Sequence, residues 1–248
     1  MTITNRTTGT NVHEIAPGIY RISTPIPATD MPGGFTFNQF LVVDDAPLLY
    51  HTGPRRMFPL VREAVAHVLG DASRLRYVSF SHFEADECGS LNDWLQLAPN
   101  AQAICGAIAA MVSVNDIADR PPLVFSEDQE LSLGVKRVRW FSTPNLPHNW
   151  ECGHLFEAST RTLFCGDVLT HSGAAELAPL TESDDLVAKA EAARQAMPVG
   201  SVAIDKDTRK YLTKLAATEP ATLALMHGSS FRGDGARLLL EFASVLGV

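Results

Sequence analysis

The stretch SFSHFEADECGS, residues 79–90, holds His82, Glu84, Asp86, Glu87 and Cys88 within seven positions. It overlaps the apolar run RLRYVSF (74–80), which predicts a buried strand, and leads into GSLNDWLQLA (89–98), which predicts a helix. A strand end fixes where such a turn begins and a helix start favours carboxylates, so these side chains can converge on one point. The pattern recurs downstream. STPNLPHNW (142–150) carries His148, TLFCGD (162–167) ends at Asp167, and ATLALMH (221–227) ends at His227. Taken singly, Asp167 could cap a turn and His227, before Gly228, could start a loop. Taken together, strand ends that deliver imidazole and carboxylate groups to one edge make a metal site the economical reading.

Outward from these motifs, strands and helices alternate. GIYRIST (18–24), FNQFLVV (37–43) and APLLYHT (46–52) read as an antiparallel meander broken by turn residues such as Asp44 and Asp45. Residues 57–69 place Leu60, Val61, Ala64, Val65 and Val68 at helical spacing, and Gly70 stops the helix. AQAIC (101–105) predicts a strand and AIAAMVSV (107–114) a short helix. A second meander follows in LSLGVKRVRWFST (131–143), ECGHLFEAS (151–159) and TRTLFCGD (160–167), with turns near Gly134 and at Ser159-Thr160. Residues 183–197 predict a helix with Ser183 as N-cap, then come helix 207–217, strand 221–227 and a closing helix 236–246. The order predicts an α/β fold: two similar halves stacked sheet to sheet with helices outside, an αββα sandwich forming one domain over residues 1–248.

Composition supports a globule, with 46% hydrophobic and 19% charged residues in 248. A net charge of -8 and scattered basic residues argue against nucleic acid or an anionic membrane surface as partner. No apolar run has membrane-spanning length, and the polar N-terminus lacks a signal-peptide core, so a cytoplasmic protein is expected. Cys88, Cys105, Cys152 and Cys165 stand apart without a CxxC pair and are expected as reduced thiols.

The combined motifs resemble the metallo-β-lactamase fold, and within it the diiron domain of flavodiiron proteins and of their flavodoxin-free relatives, the oxygen-binding diiron proteins. Hydrolases of that fold carry H-x-H-x-D-H and flavodiiron proteins H-x-E-x-D-H; here the third position is Glu84. The resemblance implies one metal on His82, Glu84 and His148, a second on Asp86 and His227, and Asp167 as a bridge. Glu87 departs from the family, which has His there. Its carboxylate either supplies the missing ligand or faces solvent at the helix start.

What the resemblance implies for function is a non-haem diiron protein that binds, and reduces, dioxygen or nitric oxide. The cofactors would be two iron ions, with zinc or manganese as alternatives and no flavin in this chain. An external redox protein would supply electrons, and a homodimer is a further expectation. Two alternatives stay open, a metal-dependent hydrolase of esters, lactones or phosphodiesters and a non-catalytic oxygen sensor or carrier, so whether the chain is an enzyme stays open too.

The remaining candidates are supporting ones. His51 and His171 are expected behind the ligands, orienting one or relaying a proton. His154 is expected as a buried, hydrogen-bonded residue, and His13 and His67 as surface or packing residues. The cysteines read as core filler, with Cys88 near the metals. The loop TPIPATDMPGGFT (24–36) reads as a lid, and Met31, Phe35, Phe83 and Phe231 either line a small apolar pocket or plug loops onto the core.

Overall fold

The computed structural model describes residues 1–197 and 201–248. Eight strands form the first sheet in sequence order: β1 (Thr2–Asn5), β2 (Thr10–Ala16), β3 (Ile19–Ile26), β4 (Phe35–Val42), β5 (Leu48–Tyr50), β6 (Tyr77–Ser79), β7 (Gln102–Gly106) and β8 (Leu123–Phe125). The pairs from β1 to β5 are antiparallel and those from β5 to β8 parallel. The second sheet contains β9 (Glu130–Ser132), β10 (Arg137–Ser142), β11 (Gly153–Glu157), β12 (Thr162–Phe164), β13 (Leu180–Thr181), β14 (Thr222–Ala224) and β15 (Ser230–Arg232), in the spatial order β13-β15-β14-β12-β11-β10-β9.

Period-two alternation builds the layers. On β4, β5 and β7 the residues Phe40, Val42, Leu48, Tyr50 and Ile104 enter the same core as Val138, Trp140, Leu155, Phe164 and Ala224 of the other sheet. Their sequence neighbours Leu41, Leu49, Ala103 and Cys105 face outward, onto α1 (Phe58–Leu69), the short α2 (Ala85–Cys88) and α3 (Leu91–Leu97). The segment after β7 also packs there: α4 (Ala107–Ala109), a wider turn over Ala110–Val114 and α5 (Asn115–Ile117). On the far side Phe141, Phe156, Leu163, Leu223 and Leu225 pack on α6 (Leu186–Ala196), α7 (Thr208–Ala216) and α8 (Gly235–Val245). The result is the four-layer αββα sandwich. Trp140 lies between the sheets against Gly153, where an added Cβ would come within 2.1 Å of its ring.

Several local expectations are corrected. The polar N-terminus extends the first meander as β1 and β2, because Val12 and Ile15 alternate toward opposite cores beneath a polar composition. Ser183 is not the N-cap of α6: β13, paired with β15, keeps the chain extended to Thr181, and Asp185 takes the cap position. Short strands β8, β13 and β15 were outside the periodic signal, having two or three residues each. The turns at Gly134 and Ser159-Thr160 do join β9 to β10 and β11 to β12. All four cysteines are buried free thiols, and no described helix is long and apolar enough to cross a membrane.

Candidate metal centre

The strand ends converge at one edge of the sandwich. His82 and Glu84 follow β6, Asp86 and Glu87 lie in α2, and His148, Asp167 and His227 follow β10, β12 and β14. Donor atoms of His82, Glu84 and His148 lie within 4.8 Å of one another, as do those of Asp86, Glu87 and His227. Asp167 stands between these groups. Its Oδ2 is 3.7 Å from His82 Nε2 and 3.5 Å from His148 Nε2, while its Oδ1 is 3.2 Å from His227 Nε2.

The imidazoles are held with their Nε2 atoms inward. His227 Nδ1–H donates to the Thr36 carbonyl (2.7 Å) and His148 Nδ1–H to the Ser201 carbonyl (3.0 Å), which leaves the opposite lone pair free to ligate. His82 Nδ1 lies 2.9 Å from Ser81 Oγ, which lies 3.1 Å from His51 Nε2, so His51 reaches the ligand through one hydroxyl. Burial pulls the His51 pKa down to about 3, so a neutral ring stands behind Ser81. His171 acts further back. It donates from Nδ1 to the Leu169 carbonyl, accepts the Ser229 amide at Nε2 and packs on Gly228, so it touches the backbone after His227 and no ligand side chain.

β4, with Arg21 of β3, fixes the His227 turn. Asn38 donates to the Leu225 and Gly228 carbonyls (2.9 Å each), Arg21 donates to the Gly228 carbonyl (3.0 Å), and the Phe35 ring stacks on His227 at 4.2 Å. On the other side Asn149 donates to Glu84 Oε1 (3.2 Å), and Glu151 accepts the Phe83 amide (3.0 Å). Sequence reasoning missed these supports. Thr36 and Ser201 act through main-chain carbonyls, which leave no side-chain signature, whereas the serine beside His82 and the asparagine after His148 were legible as polar neighbours of ligands.

Electrostatics follow from the packing. Burial would depress His227, but Asp167 and Asp86 raise it to about 10; burial likewise opposes, and Glu84 and Asp167 raise, His148 at about 9. Burial opposes ionisation of Asp167, yet His227, His82 and His148 hold its carboxyl below the usual range. Burial, then the Asp167 and Asp86 carboxylates, push Glu87 well above it. The expectation that Glu87 could face solvent is overturned: its side chain is fully buried and turned into the cluster. No N–H or O–H of the protein donates to either of its oxygens, whose hydrogen-bond neighbour is the Asp86 carboxylate, while Asp167 Oδ1 faces His227 Nε2. His82 Nε2 and His148 Nε2 are 2.9 Å apart. Imidazole Nε2 atoms turned inward and drawn toward protonation by buried carboxylates crowded against one another are what a pair of divalent cations would satisfy in place of protons, so these residues fit the metals that the resemblance implies.

The cluster opens into a cleft of about 790 Å³ lined in part by Met31, Phe35, Phe37, Leu169 and Phe242. The expected apolar lining is thus half corrected: Phe83 packs against the first core and Phe231 lies in the second, each drawn off by a nearer apolar layer. Cys88 donates from Sγ to the Glu84 carbonyl (3.2 Å) and packs in the core. His154 is buried between Thr143 and the Cys165 carbonyl, and His67 is exposed.

A family model described as "ODP family beta lactamase" matches residues 35–228. A Nostoc sp. protein carrying the name diflavin flavoprotein A 1 is 34% identical over 116 residues, 46% of this chain and 20% of that one. Among solved structures, the rubredoxin oxygen:oxidoreductase of Desulfovibrio gigas superposes with a TM-score of 0.72 at 18% identity, over 94% of this chain and 62% of that chain. A flavo di-iron protein variant from Thermotoga maritima gives 0.76 at 18% identity, over 95% and 62%. This chain therefore matches one part of longer proteins, and the two structures share its fold.

Proposed function

The chain belongs to the ODP family of the β-lactamase fold, and from that premise we propose that residues 1–248 act as one non-haem diiron domain that binds dioxygen, or nitric oxide, and reduces it. The observation that carries this reading is the pairing of two imidazole-and-carboxylate groups across Asp167. His82, Glu84 and His148 would hold one iron, Asp86 and His227 the other, and Asp167 both. Carboxylate oxygens beside imidazole suit iron or manganese better than zinc, which is content with imidazole and thiolate. Two bound ferrous ions would supply electrons to a small diatomic ligand.

The chain's own residues shape where that ligand goes. The Thr36 and Ser201 carbonyls fix the tautomers of His227 and His148, so the ligating nitrogens are preorganised. Phe35, stacked on His227, joins Met31, Phe37 and Leu169 in an apolar wall that excludes water from one side of the cluster and favours a weakly polar ligand. The rubredoxin in one relative's name and the flavin in another's support an electron source outside the sandwich. A redox protein or flavin domain would dock at the cleft mouth, where Arg56 and Arg194 stand.

The test is metal analysis of protein produced with iron, followed by spectra and oxygen uptake with a chemical reductant. Two irons per chain, a new visible band on exposure to oxygen or nitric oxide, and steady uptake are expected. Reversible binding without uptake would make the protein a carrier or sensor. Bound zinc, no spectral response and ester turnover would replace this reading with a hydrolase.

A further inference from the structure

Glu87 is the most unusual side chain at the centre. It sits one residue after Asp86 and is fully buried, and no N–H or O–H of the protein donates to either of its oxygens; its hydrogen-bond neighbour is the Asp86 carboxylate, itself an acceptor. A buried carboxylate is strongly disfavoured as an anion unless cations face it. Among the described residues its one ion-pair contact is His82 Nε2, 3.9 Å away. Position adds to this. Donor atoms of Glu87, His82 and Asp167 lie within 4.8 Å of one another, and so do those of Glu87, Asp86 and His227. Glu87 therefore reaches groups at both ends of the cluster, as Asp167 does.

We infer that Glu87 is a second bridging ligand, one oxygen on each metal, parallel to the Asp167 bridge; this rests on the dinuclear reading above. Each position then gains a hard oxygen donor. Glu84, Asp86, Glu87 and Asp167 together set four negative charges against two divalent cations, so the centre is neutral where Glu84, Asp86 and Asp167 alone would leave one positive charge. That balance accounts for an acidic side chain in a place that otherwise penalises it. The competing account is a neutral Glu87 packed as a core residue with no role toward metal.

The experiment titrates the apoprotein anaerobically with Fe(II), in wild type, in Glu87→Gln, and in Glu87→Gln combined with Asp86→Ala or His148→Ala. The two single changes, D86A and H148A, leave one position each to compare. A bridge predicts that Glu87→Gln weakens the remaining position at least tenfold in both backgrounds. It also predicts that apo Glu87→Gln unfolds at the same temperature as wild type or higher, since a penalised group is gone, while the stabilisation gained from Fe(II) shrinks. Weakening in only one background overturns the bridge. So do affinities within threefold of wild type, or a less stable apo form that binds metal normally, which assigns the packing role. Wild type that fails to take up two Fe(II) defeats the dinuclear reading itself, an outcome distinct from any result on Glu87.

Discussion

The two ligand groups on either side of Asp167 are built differently. In the first, His82 is fully buried but Glu84 is 43% and His148 19% exposed, and both of the latter depend on loop contacts to Asn149 and Ser201. In the second, His227 is 5% exposed, Glu87 is buried, and the turn after β14 is tied to β4 through Thr36, Asn38 and Phe35. One group is imidazole-rich and open toward the cleft; the other is carboxylate-rich and set in the sheet framework. Rigidity and access are thus divided between the positions, so a change on one side should leave a trace on that side alone. Only a residue shared by both should affect the whole.

The largest effect is therefore expected at Asp167. Its two oxygens face opposite groups, and Asp167→Ala should reduce iron from two per chain to well below one. Metal counting on desalted protein checks this. Retention of one tightly held iron would mean that the groups are independent and that Asp167 serves only one of them.

Next comes the framework side. Gly228 has φ +94°, and an added Cβ would lie 2.3 Å from the His171 ring, so Gly228→Ala combines backbone strain with a clash. The expected cost is about 2–4 kcal/mol of folding stability, with iron lost first from the Asp86–His227 position. Denaturant unfolding and metal counting together read it. If the His82–His148 position empties first, the rigid half is not the one that β4 supports.

Behind the open side stands the chain His82–Ser81–His51. Ser81→Ala removes the acceptor for His82 Nδ1–H and should weaken the first position about 10- to 100-fold, the usual effect of losing such a partner. The second position should hold its affinity. An equal loss at both would show that the hydroxyl sets the whole pocket, and the two groups would then behave as one unit.

How much of the molecule was legible beforehand follows from what each feature uses as its signal. The ligands were legible because Phe80, Phe141, Phe164 and Met226 end or extend apolar runs just before polar residues, and that switch survives in sequence alone. The two layers were legible from alternation in FNQFLVV and APLLYHT. Less accessible were β1 and β2, whose few apolar residues are diluted by threonine and asparagine, and the start of α6, where Ser183 has cap chemistry but β13 keeps the chain extended past it. Burial of Glu87 was not legible either. An acidic residue at a helix start is favourable in water, and only the position of α2 against the sheet edge turns it inward.

The smallest effect should come from Asn149, whose amide reaches Glu84 across a partly exposed gap of 3.2 Å. Water can replace an amide donor there, and hydrogen bonds between accessible groups contribute little, about 0.5 kcal/mol. Asn149→Ala should thus weaken the first position by about threefold or less, while folding stability falls by about 1 kcal/mol because Asn149 sits at φ +63°, which asparagine tolerates better than alanine. The variant separates two ways of holding the open side. Glu84 is the one carboxylate of the first group that is not shared, and its side chain is more exposed than that of Asp86, Asp167 or any of the three ligand histidines. If the open side is held mainly by its imidazoles, freeing Glu84 from Asn149 changes little. If isothermal titration instead shows a tenfold loss, the carboxylate rather than His82 and His148 sets that affinity, and the first position is as oxygen-dependent as the second.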